Sequence, residues 1–186
     1  MIEISAETIE RVEALLAGVP KGAECALSNA MNRGLSKMKT GAAKKVREVY
    51  TVQSSAINEA TNTRIQKAST GNLAGYIHFS GYKIPLYKFK VTPKAPGVKK
   101  QVTAAVKKGG GTAFENAFIA QMKSGHIGVF ERETSKRFPI EEKMGLAMAQ
   151  MVGNLNVMTE LEKEAQKTVD ERIVHEIDRL LNGYGG

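Results

Sequence analysis

Tryptophan is absent from this 186-residue chain, and Cys25 is its only cysteine. A single thiol cannot build an internal disulfide framework or a cysteine-based zinc site, and it gives no sign of an oxidising compartment. No apolar run approaches the ~20 residues of a membrane span. Glu3, Glu7, Glu10 and Glu13 stand where a secretory signal would place a basic start and an apolar centre. Neither export nor membrane insertion is expected. Acid is missing altogether between residues 71 and 112, a span that carries eight lysines.

The signatures of chemistry are missing as well. His78, His126 and His175 fall on different expected elements, with no cysteine or paired carboxylate at metal-ligand spacing beside them. No GxSxG elbow marks a nucleophile, and Cys25 sits in a helical stripe where a thiol packs. KKGGG at 107–111 has its lysines before the glycines, the reverse of a phosphate loop, and reads as a turn between strands. No catalytic residue, metal or cofactor is expected.

What remains is a globular composition, 42% hydrophobic and 25% charged, of a length suited to one domain with one core. The net charge of +8 is concentrated in the middle of the chain and flanked by acidic ends. The reading is a single domain over 1–186. Its parts are a helical stretch to residue 70, a mainly β part from 71 to 140, helices from 141 to 182, and a flexible tail from 183.

Ser5 caps a first amphipathic helix through Ile9, Val12, Leu15 and Leu16, stopped by Gly18 and Pro20. Pro20 then opens a longer helix with the stripe Leu27, Leu35, Met38, Ala42, Val46 and Val49. Lys37, Lys44, Lys45 and Arg47 fall largely outside that stripe, on a face that is either solvated or in contact with phosphates or an acidic partner. A short third helix is expected over 54–68, around Ile57, Ala60 and Ile65.

From Gly71 the period changes to two. Ile77 and Phe79 form one strand, followed by a turn at Ser80-Gly81. Tyr87, Phe89 and Val91 alternate with Leu86, Lys88 and Lys90, and Val98, Val102, Ala104 and Val106 with lysines and polar residues. AFIAQM and IGVF, joined by KSGH, make a hairpin at Ser124-Gly125. The fold class is therefore α+β, an antiparallel sheet of about four or five strands packed against N-terminal and C-terminal helices. Met144, Met148 and Met151 have helical spacing, and a last helix is expected from Thr159 to Leu181, with Thr159 and Glu162 as a capping box and Leu161, Ala165, Val169, Ile173, Ile177 and Leu181 inward.

Lys83, Lys88, Lys90, Lys94, Lys99, Lys100, Lys107 and Lys108 are the candidate contact residues. Interleaved with Tyr76, Phe79, Tyr82, Tyr87 and Phe89, they allow sequence-unspecific contact with DNA, contact with an acidic neighbour, or a merely solvated surface.

Four blocks in order carry a resemblance: SGYKIPLYKF at 80–89, GVKKQVTAAVKKGGG at 97–111, AFIAQMKSGHIGVFER at 117–132 and RFPI at 137–140. The chain resembles the prophage minor tail protein Z family of long-tailed bacteriophages. Ile84, Pro85, Leu86 and Phe89 match the family's strand signature. Phe118, Met122, Gly125, His126, Gly128, Phe130 and Arg132 match its central block, and Pro139 its close. One departure is Gly145 followed by Leu146, where the family commonly has Gly-Pro. The resemblance implies a structural virion protein, assembled in the host bacterial cytoplasm, that completes the head-proximal end of the tail for joining to a filled head. It also implies a homo-oligomeric ring around the DNA channel, as in similar proteins whose rings are often six-fold to match the tail tube, with other tail and head–tail connector proteins as partners and no membrane. A tail terminator or neck connector of the same region is the near alternative, and a free sequence-unspecific nucleic-acid-binding protein the distant one.

Overall fold

A computed structural model describes residues 3–183. In chain order the elements are α1 (Ala6–Leu15), α2 (Gly22–Val49), α3 (Ser54–Ala60), β1 (Thr61–Gln66), β2 (Tyr76–Gly81), β3 (Lys83–Pro85), a 3-10 turn (Leu86–Lys88), β4 (Lys90–Thr92), β5 (Val102–Ala105), β6 (Thr112–Phe114), β7 (Ala117–Gln121), β8 (Ile127–Arg132), β9 (Ile140–Glu142), β10 (Met144–Ala147), α4 (Met148–Val152) and α5 (Leu155–Leu181). The α+β class holds, with antiparallel pairing of β3 with β10, β4 with β5, β5 with β6, β7 with β8 and β8 with β9. The strands are spread over four small sheets, two of two strands and two of three, where the alternation had suggested one larger sheet.

The chain separates into two compact units. The helix-rich unit takes residues 1–42, 63–78 and 155–186, and the strand-rich unit takes 43–62 and 79–154. Formal charge divides with them: the helix-rich unit carries −1 and the strand-rich unit +9.

In the helix-rich unit, Ser5 caps α1 as its position suggests, its hydroxyl accepting from the Thr8 N–H at 3.2 Å. Val12 and Leu16 of the N-terminal segment, Ala26, Leu27 and Ala30 of α2, and Val169, Ile173 and Leu180 of α5 form one buried cluster. Burial of this apolar surface is what holds the three segments together. Asn32 adds a polar clamp: its amide donates to the Ala68 carbonyl and its oxygen accepts from the Ala68 N–H, both at 2.9 Å. Both backbone groups at residue 68 are thereby satisfied without a strand partner.

α5 begins at Leu155, a turn before the expected cap at Thr159, because Gly153 ends α4 and the chain restarts at once after Asn154. Its inward stripe runs Val157, Leu161, Ala165, Val169, Ile173, Glu176 and Leu180. Ile177 is only partly buried and Leu181 is 55% exposed. Strict spacing of four drifts around a helix of 3.6 residues per turn, so one step of three brings Glu176 and Leu180 inward instead. Glu176 is fully buried. It pairs with Arg172 four residues before it and Arg179 three after, and accepts from Asn29 Nδ2 of α2 at 3.2 Å. Burial pushes its carboxyl up, but hydrogen bonds from Arg179 and Asn29 and the charge of Arg172 outweigh that and hold it below the ordinary carboxylate value.

Four further local expectations change. α3 stops at Ala60, because Thr61, Thr63 and Ile65 are β-branched at period two and run as strand. Ser80 and Gly81 end β2 and make no turn. The alternation across 86–91 is broken by the 3-10 turn, so that Leu86, Phe89 and Val91 are buried while Tyr87 is not. Met144 lies in β10 and is 44% exposed; the helix starts only at Met148, with Met148 and Met151 buried. Of the expected tail, Gly183 closes a turn at φ 76° and residues 184–186 lie outside the described ones.

Because the Glu176 carboxylate is stabilised in the folded state, its contribution is present above the ordinary carboxylate pKa and is lost as pH falls through the lowered value. Glu176→Gln should lower stability by about 3 kcal/mol at pH 7, the scale of one broken buried ion pair. The deficit relative to wild type should shrink in acid. Urea unfolding at pH 7 and pH 4 checks both statements.

Candidate functional site

The hairpin of β7 and β8 has the register Ala117↔Glu131, Phe118↔Phe130, Ile119↔Val129, Ala120↔Gly128 and Gln121↔Ile127. Its turn is closed by the Gly125 N–H on the Met122 carbonyl at 2.9 Å and by the Met122 N–H on the His126 carbonyl at 2.8 Å, with Gly125 at φ 85°. That is the type of turn a glycine in KSGH allows. Side chains alternate across the ribbon. Ile119 and Val129 are directly opposed and both buried.

The other face collects most of the central sequence block. Phe118 and Phe130 are cross-strand partners with ring centroids 6.2 Å apart, and the Arg132 guanidinium lies 4.7 Å from the Phe118 ring. His126 meets the Phe130 edge at 6.4 Å, and its Nε2 is 2.8 Å from Glu142 Oε1 on β9. Gly128 lies beneath these groups. A Cβ there would stand 2.5 Å from the Glu142 carboxylate and 2.9 Å from the Phe130 ring. Arg132, Phe118, Phe130, Gly128, His126 and Glu142 thus form one continuous row, and His126 is the residue that ties the turn to β9.

The strand signature has a separate role. Ile84 and Leu86 are buried, and Phe89 is 2% exposed. β3 pairs with β10 through Pro85↔Met144 and Lys83↔Ala147. Gly145 of β10 faces the Phe89 ring so closely that a Cβ there would overlap it. Leu146, at the position of the departure, continues the strand. Lys143 connects this layer to the hairpin: its carbonyl accepts from Leu86 N–H at 2.9 Å, and its N–H donates to the Val129 carbonyl at 2.8 Å. Its ammonium pairs with Glu131. The hydrogen bond to Glu131 raises the lysine's pKa, overcoming desolvation, with help from the charges of Glu131 and Glu141. Pro139 precedes β9 and follows a cis peptide bond.

The eight candidate lysines all lie in the strand-rich unit, and all but Lys88 are exposed. They do not form one cluster. Lys90, opposite Ala105, lies toward the end of the β4–β5 pair where Lys107 and Lys108 turn toward β6. There Lys108 N–H satisfies the Val49 carbonyl at the end of α2, and the Lys107 ammonium is 5.9 Å from the Tyr50 ring. Lys94, Lys99 and Lys100 occupy the loop at the opposite end, beyond Thr92↔Thr103. Lys83 stands apart on β3. Val98, expected to start a strand there, is outside it and 41% exposed.

Glu142, Lys143 and Gly145 each partner a residue that the sequence singles out, His126, Leu86 and Phe89 respectively. The signal for them is their position two to five residues after Ile140, where an extended segment lies against the hairpin; Glu131 joins them from β8 through Lys143. Among the described residues no group of three His, Cys, Asp or Glu side chains is placed to hold a metal ion.

A family model described as prophage minor tail protein Z (GPZ) matches residues 7–184. Comparison with curated proteins and with solved structures gives no match.

Gly128→Ala should destabilise the protein by about 1–3 kcal/mol, the usual cost of overpacking a filled site. His126→Ala removes one partly exposed contact and should cost less than about 1 kcal/mol. Thermal unfolding of the two variants beside wild type checks the order.

Proposed function

The chain belongs to the prophage minor tail protein Z family, and from that membership we propose that it completes the head-proximal end of a phage tail so that the tail can join a filled head. The match across residues 7–184 carries this reading. In it the protein is a structural component of the virion, assembled in the host bacterial cytoplasm, and works as a closed ring, hexameric like the tail tube, beside other tail and connector proteins.

The charge division supports self-association. A strand-rich unit of +9 and a helix-rich unit of −1, with Glu7, Glu10 and Glu13 exposed on α1, give each copy two unlike surfaces. Head-to-tail contacts between unlike surfaces close into rings when the rotation permits. Tyr82, 85% exposed, and Phe138, 61% exposed, supply apolar anchors of the kind interfaces bury. The exposed lysines are then assembly contacts with neighbouring subunits.

Lys88, Lys90, Lys99 and Lys100 changed together to Glu should leave normal tails and filled heads that fail to join. Electron microscopy of lysates and a plaque titre at least about a hundredfold below wild type would show it. Joined particles at wild-type titre would remove the lysines from the joining step. Sedimentation of the purified protein showing only monomers, with no association with isolated tails, would count against the assembly reading as a whole.

A further inference from the structure

Two adjoining grooves on the helix-rich unit, of about 560 and 460 Å³, share Arg33, Ser36 and Arg172 and run between α2 and α5. Five cations line them: Arg33, Lys67, Arg172, Arg179 and Lys37, the last paired with Glu164 at 3.8 Å. The carboxylates present are Glu171, paired with Lys167 at 3.8 Å, and the buried Glu176. The unit is slightly acidic as a whole, so this strip is a local reversal of sign.

We propose that this groove binds the phosphodiester backbone of nucleic acid without regard to sequence. Two of its cations are held in place by one buried carboxylate. Glu176 is fully buried yet spends its charge on Arg172 and Arg179, whose side chains remain 37% and 30% exposed. A buried ion triad is weak support for stability, since apolar packing of the same volume does as well. What it secures is two guanidiniums fixed at a groove wall, with the planar donor geometry that suits phosphate.

Asn32 fixes the backbone next to Lys67 by bonding both main-chain groups of Ala68. Arg33 and Lys67 are exposed, and among the described residues neither has a carboxylate within 4 Å. The hydroxyls of Ser36, Thr40 and Thr168 donate to carbonyls of their own helices. The donors offered to an anion are therefore the cationic groups.

Length and lining favour nucleic acid over an acidic protein. Thr168 to Arg179 spans about 17 Å at ~1.5 Å per residue, the length of about five base-pair steps of B-DNA at ~3.4 Å of axial rise. The side chains of the groove are polar or charged, without the apolar anchors that protein interfaces centre on.

The inference does not depend on the assembly reading, because its probe is free DNA and its protein the purified full chain. Fluorescence anisotropy with a labelled random-sequence duplex, followed from about 50 to 200 mM salt, should show binding that weakens steeply with salt. Arg33→Glu with Lys67→Glu should weaken binding at least about tenfold and flatten the salt slope by about two. Lys94→Glu, Lys99→Glu and Lys100→Glu together should change it less than about twofold. Thermal melts confirm that both variants fold, as their exposed positions imply. Three results would overturn the proposal: no salt-dependent binding by wild type, a loss that follows only the 94–100 triple variant, or polyglutamate displacing the duplex as readily as unlabelled DNA, which would make the groove a seat for an acidic protein segment.

Discussion

The main chain of Lys143 is the constraint on which the strand-rich unit turns. One residue gives its N–H to Val129 in the hairpin and its carbonyl to Leu86 beside β3, and its side chain returns to Glu131. Two separately built layers are thereby held in one register. Displacing Lys143 by one residue would reverse which neighbours face the core, since strand side chains alternate. Gly128 and Gly145 lie on either side of this connection, each beneath an aromatic ring. The spacing between layers is set there by the absence of a side chain.

The helix-rich unit answers a different problem. Its segments meet through one apolar cluster, in which Leu27 of α2 packs with Val169, Ile173 and Leu180 of α5, and through one charge, Glu176, which accepts from Asn29. The buried carboxylate is held by arginines one turn away in either direction and by Asn29 of α2. Stability and surface charge are therefore linked: the groove exists because the core beneath it is polar at one point.

Period and capping made the helices and the central hairpin legible. Ser5, the α2 stripe, KSGH and the opposition of Phe118 to Phe130 all follow from local rules. What local rules missed came from tertiary partners. The run 86–91 looks like a strand, but Leu86 donates to the Lys143 carbonyl and the chain turns there to bury Phe89 against Gly145. Glu176 was invisible as a core residue because a hydrophobic count excludes charge, although the Arg172, Glu176, Arg179 spacing was in view. The eight lysines look like one set because they share an acid-free span, whereas β4 and β5 send six of them to opposite ends of one sheet and Lys83 and Lys88 lie outside it.

The order of segments has a consequence for synthesis. The helix-rich unit needs residues 1–42 and α5 in the same cluster, while the strand-rich unit draws only on residues 43–62 and 79–154. During translation the strand-rich unit has all its parts before α5 is made. Until then α1 and α2 wait with Val12, Leu16 and Leu27 uncovered, and Arg172 and Arg179 have yet to join Arg33. The groove therefore needs a segment that is synthesised after every part of the basic unit.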